Sequence, residues 1–157
     1  MKTTPALNEV IAVNGVITDR QPVDFYALGL AGCIDRLAAP LRREGTEIHW
    51  ETPHHGIDIP SSSASLLYQS AKEALSNALK YAHAHDITVR LAAVYHGVRL
   101  TVMDNGDGFD SHAEPAGDHH GYGLLLMSIS VSEVGGEVSV VSTPGNGTSI
   151  TVTLPLD

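Results

Sequence analysis

Residues 71–82 run Ala71-Lys72-Glu73-Ala74-Leu75-Ser76-Asn77-Ala78-Leu79-Lys80-Tyr81-Ala82. Within this stretch Ala71, Ala74, Leu75, Ala78, Leu79 and Ala82 recur at three- and four-residue intervals, the pattern of one buried helical face. A serine run after Pro60 can cap the helix, and the periodicity carries it to Tyr81 or Ala82. At about 100° per residue, Glu73, Asn77 and Lys80 gather on the side opposite the apolar stripe. An acid, an amide and an amine therefore share one face, although a solvated face with an ordinary i, i+4 pair fits these residues as well.

Downstream, Ile87 to Ala93 and Val98 to Met103 alternate as two strands about a turn at His96-Gly97, which predicts a hairpin. Val98, Leu100, Val102 and Asp104 have the same parity, so a regular strand points the Asp104 carboxylate to the face of its apolar neighbours. The segment Asp104-Asn105-Gly106-Asp107-Gly108 then places two glycines where backbone bends tightly or approaches a ligand, or simply turns. Ser111 to His120 has the composition of a surface loop and is a lid candidate. It leads into Gly121-Tyr122-Gly123-Leu124, and an apolar run from Leu124 through Val134 predicts a helix ended by Gly135-Gly136. A glycine loop opening a helix can cradle phosphate oxygens with backbone N–H groups, or serve only as a tight connection. Val138 to Ser142 and Thr148 to Leu154 form a last strand pair, joined by Thr143-Pro144-Gly145-Asn146-Gly147.

Upstream the signals are sparser. The first 23 residues offer a turn at Asn14-Gly15 and a boundary at Pro22. From Asp24 to Arg43, Ala27, Leu30, Ala31, Ile34, Leu37, Ala38 and Leu41 form an amphipathic stripe, with a late kink expected at Pro40 and an end at Gly45. That stripe can pack on this chain or on a second copy. Ile48 and Trp50 mark a short strand, followed by a loop from Pro53 to Pro60. The formal net charge of -9 and the absence of a basic run argue against direct nucleic-acid binding. Cys33, the single cysteine, excludes an internal disulfide and any multi-cysteine zinc site, in keeping with a cytoplasmic setting. No apolar run has the length of a membrane-spanning helix, so any membrane anchor would belong to a parent sensor.

Four of these pieces, in order, resemble the motifs of the GHKL ATPases. Glu73 to Ala82 resembles their N box, Asp104-Asn105-Gly106-Asp107-Gly108-Phe109 their D-x-G-x-G box, Gly121-Tyr122-Gly123-Leu124 their second glycine box, and Pro144-Gly145-Asn146-Gly147-Thr148 their closing G-T segment. Leu67-Tyr68 before the N box, and Ala27-Leu28-Gly29-Leu30, are similar to sensor histidine kinases that partner helix-turn-helix (NarL/LuxR-type) response regulators. The resemblance implies the Bergerat ATP-binding fold: an α+β, two-layer α/β sandwich whose mixed, mostly antiparallel sheet is covered on one face by helices. It also implies an ATP-binding catalytic domain over residues 46–157, and an N-terminal segment, 1–45, carrying a remnant of the second dimerisation helix of a dimeric parent.

Residue roles follow from that resemblance. Asp104 would accept the exocyclic amino group of adenine, Asn77 would offer its amide oxygen to Mg2+, and Lys80 would meet a phosphate oxygen. Glu73 would act as general base. Gly106, Gly108, Gly121 and Gly123 would admit the nucleotide backbone-first, with Tyr81, Phe109, Tyr122, Leu124 and Thr148 around it. The expected activity is donation of the ATP γ-phosphoryl group to a histidine on a dimerisation helix, for relay to a response regulator. The chain offers no recognisable phosphoacceptor: His85-Asp86 imitates the His-acid pair but follows the N-box helix directly, His119-His120 falls in the lid candidate, and His54-His55 has no third ligand at motif spacing. Leu126-Met127-Ser128-Ile129-Ser130 also departs from the Gly-Met-Arg-Glu-Arg run of the related kinases and lacks both arginines. A nucleotide-binding module with weakened catalysis and an anti-sigma type serine kinase are therefore the alternatives.

Overall fold

The computed structural model describes residues 9–21, 23–51, 58–108 and 122–156. Phe109, the lid candidate 111–120, Gly121, His54-His55 and His119-His120 lie outside them. In chain order the elements are strands β1 (Val10–Val13) and β2 (Val16–Asp19), helices α1 (Phe25–Leu37) and α2 (Ala39–Arg43), strand β3 (Glu47–Glu51) and helix α3 (Ser61–Asn77). A π-helical turn at Ala78–Ala82 ends α3, and strands β4 (Asp86–Val94) and β5 (Gly97–Asp104), helix α4 (Tyr122–Glu133) and strands β6 (Glu137–Ser142) and β7 (Thr148–Pro155) follow.

Five strands form one mixed sheet in the order β3-β4-β5-β7-β6, in which only β3 and β4 run parallel. Ile87, Val89 and Leu91 of β4, Val98, Leu100 and Val102 of β5, and Ile150, Val152 and Leu154 of β7 are all buried. Their period of two puts them on one face, where α3 and α4 pack. Leu67, Ala71, Ala74 and Leu75 supply the α3 side of that core, each 2% exposed or less. Full burial of one leucine side chain contributes about 1.5–3 kcal/mol, so this stripe rather than intrinsic propensity holds α3 in place. The result is the expected α+β two-layer sandwich.

The stripe of residues 24–43 turns onto this chain. Leu30, Cys33, Ile34, Leu37 and Leu41 are buried in the same core as the sheet, and Ala38 is buried beside them. Residues on both sides of position 45 thus share one hydrophobic core. The helix is not continuous: Gly29, at φ 72° and ψ 168°, breaks it inside α1, and Ala38 separates α1 from α2. Pro40 does not kink a running helix but lies in the first turn of α2, where its missing N–H has no partner to lose. The hairpin turn between β4 and β5 also differs by one residue, since Val94 pairs with Gly97 and leaves Tyr95-His96 as the loop.

The hairpin β1–β2 was not anticipated beyond its turn. Val13 pairs with Val16 across Asn14 and Gly15, both at positive φ (53° and 80°), as a two-residue turn matched to strand twist requires. It is anchored at three residues. Ile17 is fully buried, and its N–H donates to Ser76 Oγ at 3.1 Å. The Asp19 carboxylate takes two hydrogen bonds from Arg36, each 2.8 Å, and Arg43 donates to the Val10 carbonyl. Burial pushes the Asp19 carboxyl up, but the Arg36 guanidinium and the Gln21 N–H outweigh it and hold the group below its ordinary value.

Candidate functional site

At the C-terminal end of α3 the helix widens. A π turn advances roughly 80–85° per residue instead of about 100°, so residues beyond Asn77 lag behind their α-helical positions. Tyr81 swings onto the face of Glu73 and Asn77, and Lys80 falls back toward the side of Ser76. That exchange corrects the face drawn from α-helical spacing. Tyr81 lines a cleft together with Ala74, Asn77, Ala78, Ala82, Asp104, Gly108, Leu124, Thr148 and Ile150. The cleft holds about 350 Å³ of empty space, part of it open to solvent. Lys80 is exposed and outside this lining; its Nζ stands 5.5 Å from the centroid of the Tyr81 ring.

Asp104 closes β5 opposite Ile87, on the core face as its parity required. One carboxylate oxygen accepts the Gly106 N–H at 2.9 Å, and the Thr148 N–H also donates to the group. Burial pushes its carboxyl above the ordinary value, the two backbone donors pull against that, and the charge of nearby Asp107 adds to the rise. No cation pairs with Asp104 among the described residues. Beside it, the buried Ser142 hydroxyl donates to the Gly147 carbonyl at 3.1 Å. Its single proton is thereby used, so the Thr148 hydroxyl is the donor across the 2.8 Å contact to Ser142 Oγ. Sequence reading missed Ser142, Ala74, Ala78, Ala82 and Ile150, of which Ala74, Ala78 and Ala82 carried a signal, as apolar-stripe positions.

Two of the glycines have a packing reason of their own. A Cβ on Gly106 would collide with the Ala82 carbonyl, and one on Gly108, at φ 65°, with the Thr143 carbonyl. These residues are small because three backbones meet there: Asp107 N–H donates to the Ala82 carbonyl at 2.7 Å, and Gly145 N–H to the Asp107 carbonyl at 2.6 Å. Their contact with a nucleotide is therefore not what excludes a side chain. Gly123 is different, since a Cβ there would overlap the Glu73 carboxylate. The first turn of α4 thus lies directly against Glu73, while Asn77 and Leu124 both line the cleft.

Asn105, between Asp104 and Gly106, receives the N–H groups of His85 and Asp86 and donates to the Asp86 carboxylate. Asp86 is also paired with His49 at 2.8 Å. The His85-Asp86 pair is thus part of the entry into β4, an interior strand of the sheet. On α4, Leu125, Leu126 and Ile129 are exposed, and Met127 and Val131 face the core.

Residues 62–157 match the family of histidine kinase-, DNA gyrase B- and HSP90-like ATPases. The chain belongs to that family. Among its relatives, the sensor histidine kinase LiaS of Bacillus subtilis (strain 168) is 32% identical over 137 residues, which are 87% of this chain and 37% of LiaS. The nitrate/nitrite sensor protein NarX of Escherichia coli (strain K12) is 38% identical over 95 residues, 60% of this chain and 15% of NarX. This GHKL chain therefore spans well under half of either curated relative. In fold it is similar to the histidine kinase domain of the Erythrobacter litoralis EL346 blue-light activated histidine kinase, with TM-score 0.65 and 21% identity over 81% of this chain and 61% of that one. Asn77 and Asp104, the polar groups of the N box and the D-x-G-x-G box, meet in one cleft of this ATPase domain.

Proposed function

We propose that the cleft binds Mg-ATP and that the domain donates the γ-phosphoryl group to a histidine on a separate dimerisation element. The observation that carries the reading is Asp104: a half-buried carboxylate held by two backbone N–H groups and no cation, facing an apolar cleft beside Asn77. An ionised carboxylate only accepts, so it suits the amino group of adenine and opposes the carbonyl that guanine has in that place. Ala74, Ala78, Leu124 and Ile150 give the base an apolar bed, and Thr148 adds a polar edge.

The cleft wall contains no cationic residue among its described members, so the charge of a triphosphate must be met by the ion it carries. The neutral Asn77 amide oxygen fits a Mg2+ that keeps phosphate oxygens and waters as its other ligands. When bound, the ion neutralises charge on the transferring group. Glu73, one turn before Asn77 and against the opening turn of α4, is placed to receive a proton from the incoming nucleophile. Lys80 reaches a phosphate only by leaving Tyr81.

The α1–α2 face is occupied by this chain's core, so we assign it to the ATPase domain and place the dimerisation helices and the phosphoacceptor outside the described residues. A response regulator is the expected final acceptor, in line with the sensor kinases to which the chain is similar. Among the described residues no helix is long and apolar enough to cross a membrane, and the single buried Cys33 fits a cytoplasmic setting. The test is transfer of labelled γ-phosphate to an added histidine phosphotransfer domain. Acid-labile phosphohistidine, absent with Glu73→Gln, is the expected result; ATP binding without transfer would favour a nucleotide-binding module, and acid-stable phosphoserine on a partner an anti-sigma type kinase.

A further inference from the structure

We infer that the tip of the N-terminal hairpin is a positioning element of the nucleotide cleft, acting on Tyr81 through Lys80. A Cβ built on Gly15 would lie 2.8 Å from Lys80 Cε, 2.9 Å from Cγ and 3.1 Å from Cβ. The backbone of the turn therefore runs along the lysine stem, from its root almost to its ammonium. Beyond that contact the Lys80 Nζ sits 5.5 Å from the centroid of the Tyr81 ring, within cation–π range. Tyr81 in turn lines the cleft with Asn77 and Asp104. Gly15, Lys80 and Tyr81 thus form one chain of contacts from the surface of the hairpin to the site.

Two features make this a device rather than an incidental touch. First, the hairpin cannot drift, because the Ile17 N–H is tied to Ser76 and the Asp19 carboxylate to Arg36. Ser76 and Lys80 stand on the same side of the widened helix end that carries Asn77 and Tyr81. Second, the π turn is what brings Lys80 to the hairpin and Tyr81 to the cleft. With α-helical phasing the lysine would share the face of Glu73 and Asn77, and the hairpin tip would have no stem to hold. Displacing the hairpin tip therefore shifts a residue of the cleft wall without touching the cleft.

The inference rests on the ATP-binding reading of the cleft. Its test is a double-mutant cycle on the full chain, read as ATP affinity by calorimetry. Gly15→Asn is the probe, since asparagine tolerates the left-handed backbone, as Asn14 already shows at φ 53°. Its Cβ meets the Lys80 stem at Cε, Cγ and Cβ, so the lysine side chain must shift away from the turn. The expected result is a rise of about two- to fivefold in the ATP Kd for Gly15→Asn, the scale of an exposed cation–π contact, in a chain that still folds cooperatively with a somewhat lower melting temperature. In a Lys80→Ala background the same substitution has no further effect. Lys80→Met keeps the stem, removes the cation, and weakens ATP binding to the same degree. Unchanged affinity in folded Gly15→Asn, or an equal loss with and without Lys80, overturns the inference. A wild-type chain that binds no ATP overturns the reading of the cleft beneath it.

Discussion

Asp19 and Asp104 are two carboxylates of one small domain, both drawn partly out of water, and their acidities move in opposite directions. At Asp19, burial is more than offset by a two-pronged Arg36 and a backbone N–H, and the group is held below its ordinary value. At Asp104, burial is opposed only by backbone N–H groups, Asp107 adds a like charge, and the group is raised. A structural carboxylate has its partner built in. In the role proposed for it, Asp104 keeps an acceptor position for something outside the chain, and the fold carries the cost of holding that charge ready.

The largest effect that sharpens this contrast is expected at Asp19→Ala. It removes the two-pronged carboxylate from a partly buried guanidinium and unties the hairpin, and should lower the unfolding free energy by about 2–3 kcal/mol in urea titrations. Asp104→Asn should do the reverse. It relieves a desolvated charge, so the apo melting temperature stays level or rises, while ATP affinity falls about 10- to 100-fold with loss of a charge-assisted hydrogen bond. A destabilised Asp104→Asn that still bound ATP would erase the distinction between the two sites.

The smallest expected effect is the opposite pH dependence of the two groups. The folded value of Asp19 lies below its ordinary 3.8, so its stabilising contribution is complete above that pH and is lost as pH falls through the folded value. The folded value of Asp104 lies above 3.8, so its penalty is absent below that pH and grows as pH rises toward the folded value. Stability measured from pH 2.5 to 7 should therefore show a shallower acid-side decline in Asp19→Ala, with Asp35 and Asp86 keeping their share of it, and should fall less with rising pH in Asp104→Asn.

Much of the fold was legible because its signals are periodic. The α3 stripe needs one buried face and the strands β4, β5 and β7 need one each, and those needs appear directly as spacings of 3.6 and 2. The hairpin β1–β2 was not, because its four-residue strands bury one residue each, Val10 and Ile17, and leave Val13 and Val16 exposed. Periodicity also assumed an α-helix as far as Ala82, and so put Lys80 where Tyr81 belongs. Widening of a helix end is set by tertiary contacts and leaves no mark in the spacing of its residues. The glycines of the D-x-G-x-G segment were legible as positions of tight backbone, but a one-dimensional pattern cannot show that the Ala82 and Thr143 carbonyls fill the space beside them. Ser142 is legible only in three dimensions, as the acceptor of the Thr148 hydroxyl.

The claim at the centre of this account is that Asp104 makes the cleft an adenine site. Parallel calorimetric titration of the wild-type chain with Mg-ATP and Mg-GTP tests it most directly. The account predicts saturable ATP binding and at least a tenfold weaker response to GTP, a preference that disappears in Asp104→Asn; equal affinity for the two nucleotides in the wild-type chain would contradict it.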